Sequence, residues 1–243
     1  MKKQLTFFLF IIICCNIYSQ AKNDVLMTKV LNQLNINKKD IREALFREKV
    51  LPNKKSNTLM VIPKYRVNQT DEYGHDFFEF DAYIVIADNT TGKILHKYVE
   101  ENAWTSDAMV LSDITIDTGI YQLNTENRAF GIRVDYEGSS RPNPYHPTTL
   151  SLFIIQNNSI KRILKNYPIA EFHGEWDTNC AGEFEDVKGV ISIDKNKTNN
   201  FSNLIIKNTI VQTKNIPTKD DCTEKKTTKL STVTLKYNGK EYK

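Results

Sequence analysis

The string His173-Gly174-Glu175-Trp176-Asp177 holds the side chains best suited to chemistry in this chain. In an extended segment His173, Glu175 and Asp177 share one face, with about 7 Å between successive side chains. Two carboxylates so spaced suit acid and base roles on a glycoside. Retaining enzymes need about 5–5.5 Å between them and inverting ones about 6.5–9.5 Å. The same face could bind a cation, and Trp176 with Trp104 could stack on a sugar ring. The competing structural reading has Glu175 and Asp177 accepting backbone N–H bonds in a disulfide-pinned loop, with Trp176 in the core.

A second group is built on arginine. The chain has seven Arg, and Arg128, Arg133 and Arg141 fall within one fourteen-residue stretch. A guanidinium pairs a carboxylate through a planar fork that Lys lacks. Asp107, Asp117, Asp135 and Glu175 are available partners. Internal pairing would tie neighbouring strands, and free guanidinium heads would bind an anionic ligand. The candidate binding residues are therefore Trp104, Asp107, Arg133, Arg141 and Trp176, beside the catalytic candidates Glu175, Asp177 and His173.

Of the four Cys, Cys14 and Cys15 sit in an N-terminal apolar run, which leaves Cys180 and Cys222. An even pair in an oxidising compartment forms a disulfide. Closing a loop of about 43 residues would restrict the unfolded chain by roughly 4 kcal/mol in the chain-entropy model. The alternative is a thiol nucleophile at Cys180 served by His173.

Other chemical signatures are missing. The sequence has no G-x-S-x-G, H-E-x-x-H, P-loop or G-x-G-x-x-G motif. His75, His96, His146 and His173 are scattered without zinc spacing. Asp194, Asn196 and Thr198 resemble the start of a calcium loop but lack its central Gly and closing Glu, and read as a polar turn. No metal and no cofactor are expected.

The elements that must position these residues follow from the patterning. Lys2 and Lys3, the apolar run 7–15 and the small Ser19 read as a secretory signal over residues 1–19, too short to span a bilayer. Lipid attachment at Cys14 or Cys15 is the rival reading. Residues 20–56 read as a helical segment. Val25, Leu26, Val30, Leu31 and Leu34 recur at helical spacing behind a cap at Asn23 or Asp24, and Asp40 opens a further turn or two.

From residue 57 to 243 the period is two, in a single β-rich domain. Phe78, Phe80, Ala82, Ile84 and Ile86 share one strand face, and the turn at residues 88–92 leads into a hairpin. Residues 151–155 are apolar on both faces, as in a doubly covered strand. Asn238-Gly239 predicts a last two-residue hairpin, and residues 212–229, rich in Thr and Lys, read as a long loop. About ten strands without intervening helices indicate a mainly β fold, an antiparallel sandwich or open barrel. A partial β-propeller would give a similar strand count.

Composition bounds the function. The 243 residues are 40% hydrophobic and 26% charged, which excludes collagenous, disordered and multi-span membrane classes. The formal charge is +4; without Lys2 and Lys3, 31 basic residues face 29 acidic ones. The Lys-rich end, residues 214–243, reads as a solvated surface, with contact to anionic lipid or polysaccharide as the sharper alternative. The 26 Lys and 24 Asn reflect compositional bias. Nothing in the chain supports nucleic-acid binding, and no transmembrane segment is expected after the signal.

Four strings stand out. They are Trp104-Thr105-Ser106-Asp107-Ala108, Arg128-Ala129-Phe130-Gly131-Ile132-Arg133, Gly138-Ser139-Ser140-Arg141, and the run from His173 through Asp177 to Cys180 and Phe184. Together, over about residues 59–206, they resemble an uncharacterised family of exported bacterial β-rich proteins. The resemblance implies a secreted β module and carries no activity or catalytic residue. The expectation is an exported, periplasmic or extracellular, non-catalytic binding or envelope-associated module, with a glycan or another envelope protein as partner. The alternative is a secreted glycan-type hydrolase using Glu175 and Asp177.

Overall fold

A computed structural model describes residues 24–243; the signal read at residues 1–19, with Cys14 and Cys15, lies outside them, as does the cap at Asn23. Helix α1 occupies residues 24–34, followed by 3-10 turns at Lys38–Asp40 and Glu43–Leu45. Eleven strands follow: β1 Arg47–Leu51, β2 Lys54–Thr70, β3 Asp76–Asp88, β4 Ile94–Ser106, β5 Met109–Gln122, β6 Arg128–Gly138, β7 Tyr145–Gln156, β8 Ser159–Trp176, β9 Gly182–Thr198, β10 Phe201–Pro217 and β11 Cys222–Leu235. They form two antiparallel sheets, one in the order β1-β2-β3-β4 and one in the order β11-β10-β9-β8-β7-β6-β5. Over the described residues the fold is thus mainly β with one short N-terminal helix and no closed barrel.

Alternation in β3 drives the packing. Phe78, Phe80, Ala82, Ile84 and Ile86 all face the space between the sheets, where they meet Leu59 and Val61 of β2 and Ile114, Ile116, Ile132 and Val134 of β5 and β6. The opposite face of the small sheet, Met60, Ile62, Val85 and Ala87, is covered by Met27, Val30 and Leu31 of α1. Helix-period and strand-period patterns therefore meet on the two sides of one sheet.

The large sheet curls back on itself. Leu150, Leu152 and Ile154 of β7 face away from Phe153 and pack with Ile163, Ile169, Leu204, Ile206 and Leu235. This makes β7 the doubly covered strand that its unbroken apolar run predicts. Strands β5 and β10 stand five places apart in the sheet order, yet the Ser202 N–H donates to the Leu123 carbonyl at 2.8 Å. Tyr242 seals the same region, donating its hydroxyl to the Ser202 carbonyl at 2.7 Å.

Asparagine makes the tight turns. Asn157 and Asn158 (φ 50° and 59°) join β7 to β8, and Asn199 and Asn200 (φ 49° and 68°) join β9 to β10. Two left-handed residues in succession match the twist of a two-residue hairpin, and Asn tolerates them well. The expected last hairpin is present, but its two-residue turn is Gly239-Lys240 rather than Asn238-Gly239: the Asn238 N–H donates to the Glu241 carbonyl at 3.0 Å, Gly239 lies at φ +96°, and Tyr237 bridges to Tyr242.

Two differences from the sequence reading stand out. Residues 47–51, inside the segment read as helical, pair with β2 as β1. Residues 212–229 are not a loop. They are the end of β10, a hairpin turn and half of β11, in register from Gln212 opposite Thr227 to Pro217 opposite Cys222. Every residue of β11 before Leu235 is exposed, so ladder hydrogen bonds form it and no apolar period marks it.

Candidate functional site

The outer halves of β8, β9, β10 and β11 extend beyond the packed body as an arm. Cys180, in the β8–β9 connection, and Cys222, at the start of β11, lie at disulfide distance, with Sγ–Sγ 2.14 Å and Cα–Cα 5.8 Å. The bond joins the tips of two successive hairpins. It also removes the thiol nucleophile considered for Cys180, since a bonded sulfur has no thiolate to offer.

Strand register decides which side chains share a face. The residues of β10 that reach the core, Leu204 and Ile206, continue along the same face as Ile210, Gln212 and Lys214. The arm's inner face therefore runs from apolar to polar with distance from the core. Across the strands one row reads Tyr145, His173, Glu185, Gln212, Thr227, and the next reads Glu175, Glu183, Lys214, Lys225. These two rows line an open cleft of about 1430 Å³. Carboxylates lie on its β8–β9 side and ammonium groups on its β10–β11 side.

Contacts within the cleft are local. Lys214 Nζ meets Glu183 Oε1 at 2.5 Å, and Gln212 Nε2 donates to Glu185 Oε2 at 2.8 Å. His173 Nδ1 is shielded from solvent and lies 3.1 Å from Glu171 Oε1, but is not aligned for a hydrogen bond. Tyr145 donates its hydroxyl to Glu171 Oε2 at 3.3 Å. Glu175 is exposed and faces the like-charged Glu183 in register.

Asp177 is committed elsewhere. Its Oδ1 accepts the N–H groups of Asn179 and Cys180, each at 2.8 Å. The Asn179 N–H foremost, helped by other backbone N–H groups of the turn, holds its carboxyl below the usual range. Such a group stays ionised at neutral pH and does not deliver a proton to a leaving group. Asp177 thus has the backbone-capping role of the structural reading, and Glu175 does not.

The two Trp part company. Trp104 is 8% exposed and packs with Phe78, Phe80 and Leu111 between the sheets, so no sugar reaches its ring. Trp176 is half-buried at the arm rather than in the core, with the Arg141 guanidinium 5.4 Å from its ring centroid. On the strand faces beside it, Phe184 lies over Gly174 and Gly182. A Cβ at Gly174 would come within 2.4 Å of the ring, so only Gly fits there.

Arg133 pairs internally. Its Nε and Nη2 donate to Asp117 Oδ2 at 3.0 and 2.9 Å, the Tyr121 hydroxyl donates to the same oxygen at 2.8 Å, and the Gly119 N–H donates to Oδ1 at 2.9 Å. Burial works against the Asp117 charge, but these donors outweigh it and hold the carboxyl below its ordinary range. Burial and that carboxylate push Tyr121 up to about 12. The cluster pins the β5 bulge between Asp117 and Tyr121. Arg128 reaches only the Thr118 carbonyl, at 3.3 Å.

Asp107 lies far along the chain from the arm residues, on the β4–β5 turn, where Oδ1 accepts the Met109 N–H at 2.9 Å. It lines a second opening at the mouth between the two sheets, together with Arg42 and Phe78. Residue spacing did not reveal this opening, because its walls come from five separate stretches of chain. Among the described residues no group of three or more His, Cys, Asp or Glu is arranged to hold a metal ion, and no helix is long and apolar enough to cross a membrane. The disulfide pair and the lack of such a helix are compatible with export.

Comparison with protein-family models finds no match to this chain. Searches of curated proteins and of solved structures likewise find no similar chain, so the site rests on its own geometry.

Proposed function

We propose that this is an exported, non-catalytic binding module, periplasmic or extracellular, that holds an extended polar partner against the inner face of its arm. The observation that supports it most is the row Glu175, Glu183, Lys214, Lys225 on the cleft floor, acidic on two strands and basic on the next two. Such a split complements a partner presenting both charges or many hydrogen-bonding groups in line, a glycan or a segment of another envelope protein. The stapled tips keep the face preformed and lower the ordering cost of binding. The carboxylate-pair hydrolase finds less support, since Asp177 is held ionised by the backbone N–H groups of its own turn and so is not the acid partner of Glu175.

The test is to probe glycan and peptide arrays with residues 20–243 and with a Glu183→Gln, Lys214→Gln variant. The expected result is retention on one ligand class, weakened by salt and at least tenfold weaker for the variant. Equal array profiles for the two proteins, or turnover of a glycan that an Asp177→Asn, Glu175→Gln variant no longer performs, would overturn the reading.

A further inference from the structure

Every sheet edge presents a row of unpaired backbone N–H and C=O groups, and folded proteins shorten, bulge or cover such edges. Among the described residues three of the four sheet edges follow that rule. β1 has five residues and a bulge between Val50 and Leu51. β4 shifts register twice against β3 and meets β8 through the Arg162–Glu100 ion pair. β5 also shifts twice, and meets β1 where Arg47 pairs with Asp113 and Lys49 donates to the Ile116 carbonyl at 3.3 Å. β11 is the exception. Its fourteen residues pair with β10 without a register shift, include no Pro, and are exposed as far as Thr234. Among the described residues no strand lies on its other flank. We propose that this flank receives an extended acidic segment of another protein as an additional strand, whose backbone completes the ladder.

Charge along the strand selects that partner. Within β11 three Lys stand against Glu224, while Asp220 and Asp221 lie in the turn before its start. Glu224 engages Lys226 at 2.8 Å, and Glu183 engages Lys214 on β10, whereas among the described residues Lys225 and Lys229 have no carboxylate partner. These two share one face of the strand, opposite Lys214 and Ile210, and stand about 14 Å apart. A strand laid beside β11 with acidic side chains four residues apart meets both ammonium groups. On the other face Leu230 is 80% exposed, the most of any large apolar side chain described, and an apolar residue of the added strand would cover it. A second copy of this chain suits the flank less well. Each copy brings three Lys and one Glu, so six ammonium groups would face two carboxylates. Lys at an edge repels a like strand and attracts an acidic one by the same Coulomb force. The ladder belongs to the arm's edge, and its use does not depend on the cleft floor.

The probe is a palindromic peptide, acetylated and amidated, of sequence Thr-Thr-Val-Glu-Thr-Thr-Thr-Glu-Val-Thr-Thr, whose charges fit either strand direction. It is titrated into residues 20–243 at low ionic strength and followed by calorimetry. Saturable binding is expected, at least tenfold tighter than for peptides with Gln or Lys in place of Glu. A Lys225→Gln, Lys229→Gln variant should weaken it at least tenfold, and an unchanged thermal unfolding curve confirms that the variant is folded. The Glu183→Gln, Lys214→Gln variant, altered only on the cleft floor, should bind the peptide as wild type does, which separates this site from the cleft. N-methylation of alternate peptide residues distinguishes a ladder from bare attraction: one of the two alternate sets should abolish binding and the other should leave it. Retention by both sets, no saturable binding, or equal affinity for the Gln peptide would overturn the proposal. So would a dimer in sedimentation velocity that protects alternate β11 amides from exchange without peptide, since the edge would then belong to a second copy.

Discussion

The body and the arm of this protein are both antiparallel sheet, yet different forces hold them. Between the sheets, side chains such as Phe80, Ile86, Ile114 and Ile132 are at most 2% exposed and supply the apolar burial that stabilises a domain. In the arm, thirteen of the fourteen residues of β11 are exposed, and order comes from backbone ladders, Asn turns and one disulfide. The first arrangement yields a stable scaffold. The second yields a shaped polar surface whose side chains are free for a partner.

Mutations should separate the two regions. The largest effect is expected for Phe80→Ala, which empties a fully buried site and should cost about 3–5 kcal/mol of stability in urea unfolding. Replacing Cys180 and Cys222 by Ser should cost about 2–4 kcal/mol. Its signature should be local: faster amide hydrogen exchange in residues 182–190 and 207–217, with β3 unaffected. Equal acceleration in β3 would mean that arm and body unfold as one unit.

Asp117→Asn probes the body at the β5 bulge. Removing the charge while Arg133 stays half-buried should cost about 1–3 kcal/mol at neutral pH. The Asp117 carboxyl lies below its ordinary range, so its contribution is complete above the unfolded pKa and is lost as pH falls through the folded value. Urea midpoints of wild type and variant should therefore converge on acidification from about pH 5. The smallest effect is expected for Leu230→Ala, 80% exposed in the arm, within about 0.5 kcal/mol of neutral.

What the sequence disclosed follows the same division. Wherever a strand buries one face, alternation revealed it: the β3 residues from Phe78 to Ile86 and the double covering of β7 are both as the pattern predicts. The first half of β11 escaped because Thr223 to Lys229 bury nothing, so no apolar period exists to detect there. The Asn157-Asn158 and Asn199-Asn200 turns were legible in principle, but abundant Asn masked them. At the site, the placing of His173 and Glu175 on one face followed from the period of two. The Asp177 turn did not, because an Asx turn reverses the strand at that residue. Trp104 sits on the buried face of β4, which spacing from Trp176 could not show. The inter-sheet mouth was beyond any local pattern, since Arg42, Phe78 and Asp107 meet only in the fold.

The outer flank of β11 carries consequences for how the chain can be produced. Among the described residues its N–H and C=O groups have no neighbour strand on that side, and such a ladder templates addition of further strands. Lys225, Lys226 and Lys229 discourage stacking of identical chains, and the Cys180–Cys222 bond keeps the strand seated on β10. In a reducing cytosol the second safeguard is lost while the chain concentration is high. Expression there should drive the protein into strand-exchanged aggregates, whereas secretion into an oxidising compartment should keep it monodisperse.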